Sequence, residues 1–299
     1  MRLRSVEKAL LAFLLSILTP GLGQIYNGQL TKGALCFGGL LGFFLVSTTV
    51  GLAHHFAGFI LHSVLVYSLY LFTIAEAVRT AVRQVRADRR PVHTWRSYIL
   101  GISLLTIWLF VAGNIPDKIP GVRGYSIPAE SMAPTLISED RILVDMRYYS
   151  SHSPRRGDLI IFKFPYQDHP NYIKRVIGVP GDHIKIVDQE VYLNGEKQNE
   201  PYVRHDSAAS YDPFLYNFPP ASHAEPISSM QPEWADQITK YVQNGELVVP
   251  PGNYFALGDN RDDSWDSRYW GPIAQDKIFG KALFIYWSKD KSRIGKTIR

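Results

Sequence analysis

The sequence predicts N-terminal transmembrane α-helices followed by a mostly antiparallel β domain that carries a loop-rich insertion. Three observations predict it. Residues 1–114 hold apolar stretches of about the 20 residues that a bilayer-crossing helix needs. From Asp140 onward the long apolar runs give way to short β-rich runs broken by Gly, Pro and Asp. Residues 200–245 follow neither pattern and are rich in Pro, Ser, Ala and aromatic residues.

In the first third, three stretches are expected to cross a membrane: Ala34–Ala53, Phe56–Ala77 and Ser97–Gly113, the last with Tyr98 and Trp108 as interfacial anchors. The earlier run Ala9–Thr19 is too short to span and stops at Pro20-Gly21. Arg2, Arg4 and Lys8 precede it as in a secretory leader, but the Pro-Gly stop lacks a small-x-small cleavage pattern and further spans follow. It reads as an interfacial or re-entrant segment. The stretch Arg79–Arg96 carries six Arg and one Asp, and such loops stay cytoplasmic, so everything after about residue 114 is expected outside the cytoplasm. Residues 1–114 are therefore read as a membrane anchor and 115–299 as an extracytoplasmic β-rich domain.

Charge follows the same division. Residues 1–114 carry ten Lys/Arg against Glu7, Glu76 and Asp88, while the remainder holds 22 basic and 24 acidic residues. The net +5 thus belongs to the anchor and gives no reason to expect a nucleic-acid partner. The one cysteine, Cys36, excludes a disulfide framework and a Cys-rich metal site. No cofactor and no metal are expected: His54 and His55 are adjacent and do not converge on one ion, and His62 inside a span has no evident partner.

In the outer domain, strands are expected at Asp140–Asp145, Asp158–Phe164, Asn171–Val179, His183–Val187, Glu190–Leu193, Glu246–Val249, Asn253–Leu257 and Ala282–Trp287. Gly157-Asp158 and Pro180-Gly181-Asp182 read as turns and Asn194-Gly195 as a hairpin turn, which together give a folded-over antiparallel architecture. Within 200–245, Trp234, Ile238, Tyr241 and Val242 fall on one face of a short helix between Pro232 and Gly245. The expected role of this insertion is structural.

Three stretches carry chemistry. In Tyr125–Leu136 (YSIPAESMAPTL), Pro128 and Pro134 hold the chain irregular around Ser131, a placement that suits a nucleophile, although most loop serines are caps or turn formers. In Tyr172–Gly178 (YIKRVIG), Lys174 shares a strand face with Tyr172 and Val176, and Arg175 shares the other with Ile173 and Ile177. Both faces are apolar. A buried lysine can lose its proton and become a general base, or it can extend its ammonium to solvent; a buried arginine needs a carboxylate. In Leu257–Gly271 (LGDNRDDSWDSRYWG), four Asp and two Arg imply a hydrogen-bonded network that fixes geometry.

Taken together, these stretches resemble the signal peptidase I family of membrane-bound serine proteases. Ser131–Leu136 (SMAPTL) resembles its nucleophile box, Arg156–Phe162 (RGDLIIF) its second strand motif, Tyr172–Asp182 (YIKRVIGVPGD) its lysine box and Gly258–Gly271 its last box. Order and spacing agree over about residues 124–287. The resemblance implies a Ser/Lys dyad in which Ser131 attacks the scissile carbonyl and neutral Lys174 takes its proton. It implies that Ser264 hydrogen-bonds and orients the lysine, that Asp266 and Arg268 form a structural ion pair, and that Asp259 helps hold the same network. It requires no histidine: none of His152, His169, His183, His205 and His223 matches a family motif, so a Ser/His/Asp triad is rejected.

One position departs from the pattern. Many relatives carry a Ser or Thr two residues before the nucleophile that helps bind the oxyanion; here Ala129 stands there, followed by Glu130. Activity is then expected to lean on the Ser131 backbone N–H. The resemblance further implies preprotein substrates whose signal peptides end in small-x-small, typically Ala-x-Ala, with Ile127, Met132 and Ile173 lining shallow apolar pockets. For these three the plain alternative is core packing. It also implies a multi-pass protein of the bacterial cytoplasmic membrane with lipid around its anchor. Two other readings are a specialised member with one or few substrates and a lapsed enzyme that binds exported chains without cutting them; intact Ser131, Lys174 and Ser264 argue against the second. The oligomeric state and any separate role of Gly21–Lys32 stay open.

Overall fold

Long apolar runs that end at glycine-centred turns shape the N-terminal unit of the computed structural model. The structure describes residues 2–87, 94–114, 121–166, 171–205, 213–220 and 230–298. It divides into two units, Met1–Gly121 and Val122–Arg299.

The first unit contains α1 (Arg2–Leu18), α2 (Leu22–Tyr26), α3 (Leu30–Thr49), α4 (Phe56–Arg86) and α5 (Trp95–Asn114). Two of these, α3 and α4, are long and apolar enough to cross a membrane by length and composition; in α5 the apolar stretch Trp95–Leu109 is shorter. Helix α1 lies along α4, where Ala12 packs with Ala77 and Ala81 and the Tyr70 hydroxyl donates to the Ile17 carbonyl at 2.6 Å. The chain then reverses. Gly21 takes φ +91°, open to glycine at no steric cost, and a Cβ there would collide with the Gly33 backbone. On the return, Gln24 donates to the Thr73 carbonyl at 2.7 Å, Asn27 donates to the Ala77 carbonyl at 2.8 Å, and Lys32 pairs with Glu76 at 2.9 Å. Small residues thus permit the close approach and amide side chains supply its polar bonds.

The span boundaries differ from the expected ones. α3 begins at Leu30 and stops at Thr49, because Gly51 at φ +73° opens a separate turn over Leu52–His54. α4 runs on past Ala77 to Arg86, carrying Arg79, Arg83 and Arg86 at helical spacing. Arg89 and Arg90 lie outside the described residues. His54 Nδ1 stands 3.0 Å from the Gly51 carbonyl, and the His62 ring lies 5.9 Å from those of Phe43 and Phe44.

The second unit is built from antiparallel strands: β1 (Val122–Ser126), β2 (Arg141–Asp145), β3 (Leu159–Phe162), β4 (Tyr172–Gly178), β5 (His183–Val187), β6 (Glu190–Leu193), β7 (Glu196–Lys197), β8 (Val242–Gln243), β9 (Glu246–Val248), β10 (Asn253–Leu257), β11 (Ile273–Ala274) and β12 (Ile278–Trp287). One sheet has the order β1-β2-β12-β3-β4-β10-β11 and the other β7-β6-β5-β9-β8. Inward residues of both sheets share a core that includes Ile177, Ile184, Val191, Leu247, Phe255 and Leu257. This is the expected folded antiparallel architecture.

Differences lie at the edges. The stretch before Ser131 is an edge strand, β1, paired with β2 from Val122↔Asp145 to Ser126↔Arg141. β12 starts at Ile278 rather than Ala282; register shifts in its pairing let Gly280 pass close to Val144, where a Cβ would collide. The single helix expected over Trp234–Val242 is two short ones, Pro232–Ala235 and Ile238–Tyr241, with Val242 in β8. Asn244 and Gly245 take φ +52° and +77°, and the hairpin they make draws Val242 out of the helical path to pair with Leu247. Trp234 and Ile238 still bury their side chains in the core. Of the 200–245 stretch, residues 206–212 and 221–229 lie outside the described residues, as do His169 and His223.

Candidate active site

Ser131 sits in the turn that links β1 to β2. Two bonds fasten the ends of that turn to each other: the Ile127 N–H donates to the Asp140 carbonyl and the Glu139 N–H to the Ile127 carbonyl, at 2.9 and 2.8 Å. Met132, Ala133 and Leu136 are fully buried beneath it. Arg293 grips it from behind, pairing with Asp140 at 2.6 Å and donating to the Pro134 and Thr135 carbonyls. Burial works against the Asp140 carboxylate, but the bonds from Arg293, Ser288 and Ile137 hold it below the ordinary range.

Lys174 comes from the middle of β4, opposite Ile160 of β3. Only 2% of it is exposed, and its Nζ donates to Ser131 Oγ at 2.7 Å. Burial drives its pKa down; Asp266, Asp259 and Asp263 push back and Arg268 adds to the depression, leaving it at about 8 against 10.5. Near neutral pH a usable fraction is therefore unprotonated, and a neutral amine can accept a hydroxyl proton.

Arg175, on the opposite face of β4, meets the carboxylate its burial demands. Asp259 receives it bidentately, from Nε and Nη2 at 2.7 Å each, with both side chains buried. Nη1 donates to the Gly157 carbonyl, and the Tyr202 ring covers the guanidinium at 3.9 Å.

The last stretch closes over this pair. Arg268 pairs bidentately with Asp266 at 2.8 and 2.9 Å and donates to the Arg261 carbonyl at 2.7 Å. Burial opposes the Asp266 charge, yet Arg268, Lys174 and the Gly258 N–H keep its pKa lowered. The Ser264 hydroxyl donates to Asp266 Oδ2 at 2.8 Å, whereas the hydrogen bond of Lys174 goes to Ser131. The serine expected to hold the lysine therefore stands one bond away, tied to the carboxylate whose charge Lys174 feels.

The structure thus brings buried Lys174, Asp259, Ser264, Asp266 and Arg268 together around half-buried Ser131. Ile127, Met132 and Ile173 join a single apolar cluster beside it, but Met132 has no exposed surface, so it underlies that surface and does not face solvent. Ala129 is exposed, and the Ser131 N–H makes no hydrogen bond to another described residue. No described histidine bonds Ser131; His205 reaches Asp262 instead, at 3.1 Å.

Sequence reasoning missed two residues. Gly258 stands where a Cβ would collide with both Ser264 Oγ and the Ser131 carbonyl, so only glycine lets the two serines approach. Asn260 donates its backbone N–H to the Ser131 carbonyl at 3.2 Å and its side-chain amide to the Glu130 carbonyl at 3.3 Å. Both belong to the Gly258–Gly271 stretch, which signalled a network without saying which backbone it would hold.

Comparison with known proteins finds similarity over much of the chain. The family model described as signal peptidase, peptidase S26, matches residues 98–287. Signal peptidase IB of Staphylococcus aureus (strain N315) is 33% identical over 193 residues, 64% of this chain and 88% of that protein. Signal peptidase I of Pseudomonas fluorescens is 32% identical over 192 residues, 56% of this chain and 65% of that protein. A crystal structure of a signal peptidase I from Enterococcus faecalis V583 aligns at 30% identity over 44% of this chain and 97% of its own, with a TM-score of 0.28.

Proposed function

The chain belongs to the type I signal peptidases of peptidase family S26, and on that premise we propose a membrane-bound endopeptidase in which Ser131 is nucleophile and Lys174 its base. Membership makes it a serine protease of the class that removes signal peptides. The observation that carries the mechanism is the 2.7 Å contact between the buried Lys174 Nζ and the half-buried Ser131 Oγ. Neutral Lys174 takes the Ser131 proton as Oγ attacks the scissile carbonyl. The Ser131 N–H, without a hydrogen-bond partner among the described residues, donates to the oxyanion. The Lys174 ammonium then gives its proton to the leaving amine, and an acyl group remains on Ser131. In the second half Lys174 takes a proton from water, the hydroxide oxygen displaces Ser131 Oγ from the acyl carbon, the Lys174 ammonium returns the proton to that oxygen, and the cleaved signal peptide departs as an acid. Asp266, Arg268 and Ser264 fix the charges around Lys174, and Asp259 balances Arg175.

The substrates are preproteins whose signal peptides end in small-x-small. Half-buried Ile173, with Ile127 and Met132 buried beneath it, supports this: a shallow apolar surface admits small side chains and leaves larger ones unburied. The anchor occupies residues 1–114 and the peptidase domain 115–299, on the outer side of the bacterial cytoplasmic membrane. Three crossings, by α3, α4 and α5, follow if α1 and α2 enter and return. The turn after Ile17, level with Tyr70 partway along α4, supports that reading.

Cleavage of an Ala-x-Ala preprotein in detergent micelles, wild type against Lys174→Ala across pH, tests the mechanism. The wild type should cut, with kcat falling about tenfold per pH unit below about 8 as the base is protonated. The Lys174→Ala protein should be inactive; if it cuts as well as wild type, the base lies elsewhere.

A further inference from the structure

Residues 200–205 lie in a stretch with no expected chemistry, yet they hold the loop that holds the dyad. The Arg204 N–H donates to the Asp259 carbonyl and the Arg261 N–H donates to the Arg204 carbonyl, at 2.8 and 3.0 Å, so this segment runs beside Asn260 as a short parallel bridge. Glu200 accepts from Arg261 Nη2 at 2.6 Å and from the Tyr202 hydroxyl at 2.8 Å. Burial and the Glu200 charge both raise the Tyr202 phenol's pKa, which keeps it a donor. Its ring lies flat enough on Arg175 for the guanidinium carbon to stand 3.9 Å from the ring centre. His205 adds a contact to Asp262.

Three of these bonds lead toward the dyad through one intervening residue. Arg175 is the residue after Lys174, and its charge is met by Asp259 at the edge and Tyr202 on the face. Asn260, between the two residues that Arg204 binds, donates to the Ser131 carbonyl. Arg261 also donates to the Gly258 carbonyl, beside the glycine that lets Ser131 and Ser264 approach.

We propose that Glu200–His205 is a positioning strap for peptide cleavage, with Tyr202 and Glu200 acting through Arg175 and Arg261 to set the Ser131–Lys174 contact. This rests on the dyad reading above. Neither residue touches substrate or the reacting atoms. A displacement of about 1 Å in a reacting pair costs on the order of a hundredfold in rate, so a strap that loosens without unfolding shows itself in turnover.

The test uses the full chain in micelles with an Ala-x-Ala preprotein and compares Tyr202→Leu, Tyr202→Phe and Glu200→Gln with wild type. Tyr202→Leu should lower kcat about ten- to a hundredfold with KM within about twofold, and Tyr202→Phe, which keeps the ring on Arg175, should recover most of that loss. Water reaching Lys174 through the loosened strap should raise its pKa in Tyr202→Leu, because burial is the largest cause of its depression and relieving it outweighs the screening of Asp259, Asp263, Asp266 and Arg268 around the Ser131–Lys174 pair. The acidic limb of the rate profile moves up accordingly. A Tyr202→Leu protein with wild-type kcat and pH profile, or with its loss confined to KM, overturns the strap. If that variant does not fold, Glu200→Gln decides: a severalfold fall in kcat supports the strap and none overturns it. Lysine Cε chemical shifts, titrated with Lys174 assigned by substitution, give a readout independent of cleavage. If the wild type fails to cut, the dyad reading falls, while a raised Lys174 pKa in Tyr202→Leu still supports the strap and an unchanged one overturns it.

Discussion

At the scale of single residues, the fold keeps a lysine where an apolar side chain would cost less. In the unfolded chain Lys174 titrates near 10.5 and in the folded protein at about 8. Above pH 10.5 both states carry the neutral amine and nothing is lost. As pH falls from 10.5 to 8 the unfolded chain takes the proton first, so a penalty builds; below 8 both are protonated and the penalty is constant at about 3 kcal/mol. Lys174→Met should therefore be inactive yet more stable than wild type at pH 7, by a few degrees of melting temperature. The gain should shrink between pH 8 and 10.5. Thermal unfolding across that window checks it, and a gain independent of pH would remove the lysine charge as its cause. Lys174 and Arg175 were legible because apolar residues alternate on both faces of their strand, so neither side chain had a wet side. Asn260 was not, since it works through backbone atoms of Ser131 and Glu130 that are near only after folding.

At the scale of elements, strand ends and loop crossings decide whether the site closes. β10 stops at Leu257, paired with Arg175, and Gly258 carries the chain under Ser131 and Ser264. Gly258→Ala places a methyl group against a backbone carbonyl that cannot swing aside. It should lower turnover by about two orders of magnitude and cost about 1–3 kcal/mol of stability through overpacking, read together from cleavage rate and thermal melting. Wild-type values for both would mean the loop is looser than described. Most strands could be read from their alternation, and Asn194-Gly195 marked its hairpin, which takes φ +51° and +82°. β1 was hidden because Gly124 interrupts its pattern; the glycine is there so that the Tyr286 hydroxyl can pass close by. The divided helix at Trp234 was hidden for another reason. Its apolar face was real, but the Asn244-Gly245 turn and the pairing with β9 outweighed helical continuity.

At the scale of the whole molecule, the sequence separates an apolar, basic first third from a β-rich remainder with nearly balanced charge. Arg79, Arg83 and Arg86 at the end of α4 support a cytoplasmic position for that end. A reporter fused after Arg90 should behave as cytoplasmic and one fused after Arg299 as external; the opposite pair of results would invert the topology. What the sequence could not convey is which distant segments meet. Glu200–His205 was read as structural without a named partner, because Arg261 lies 61 residues from Glu200 and the Arg204–Asn260 bridge is made by backbone groups, which carry no residue code.

The grip of Arg293 on the Ser131 turn also sets an order of events in time. Its bonds to Asp140, Pro134 and Thr135 span about 150 to 160 positions, and β12 fills the middle of its sheet between β2 and β3. During synthesis, Ser131 and Lys174 emerge long before the strand and the arginine that seat them. A partly synthesised chain therefore carries Ser131 and Lys174 without the frame that aligns them. On the dyad reading proposed above, cleavage should begin only once β12 and Arg293 have been made, and a chain truncated before Ile278 should be inactive.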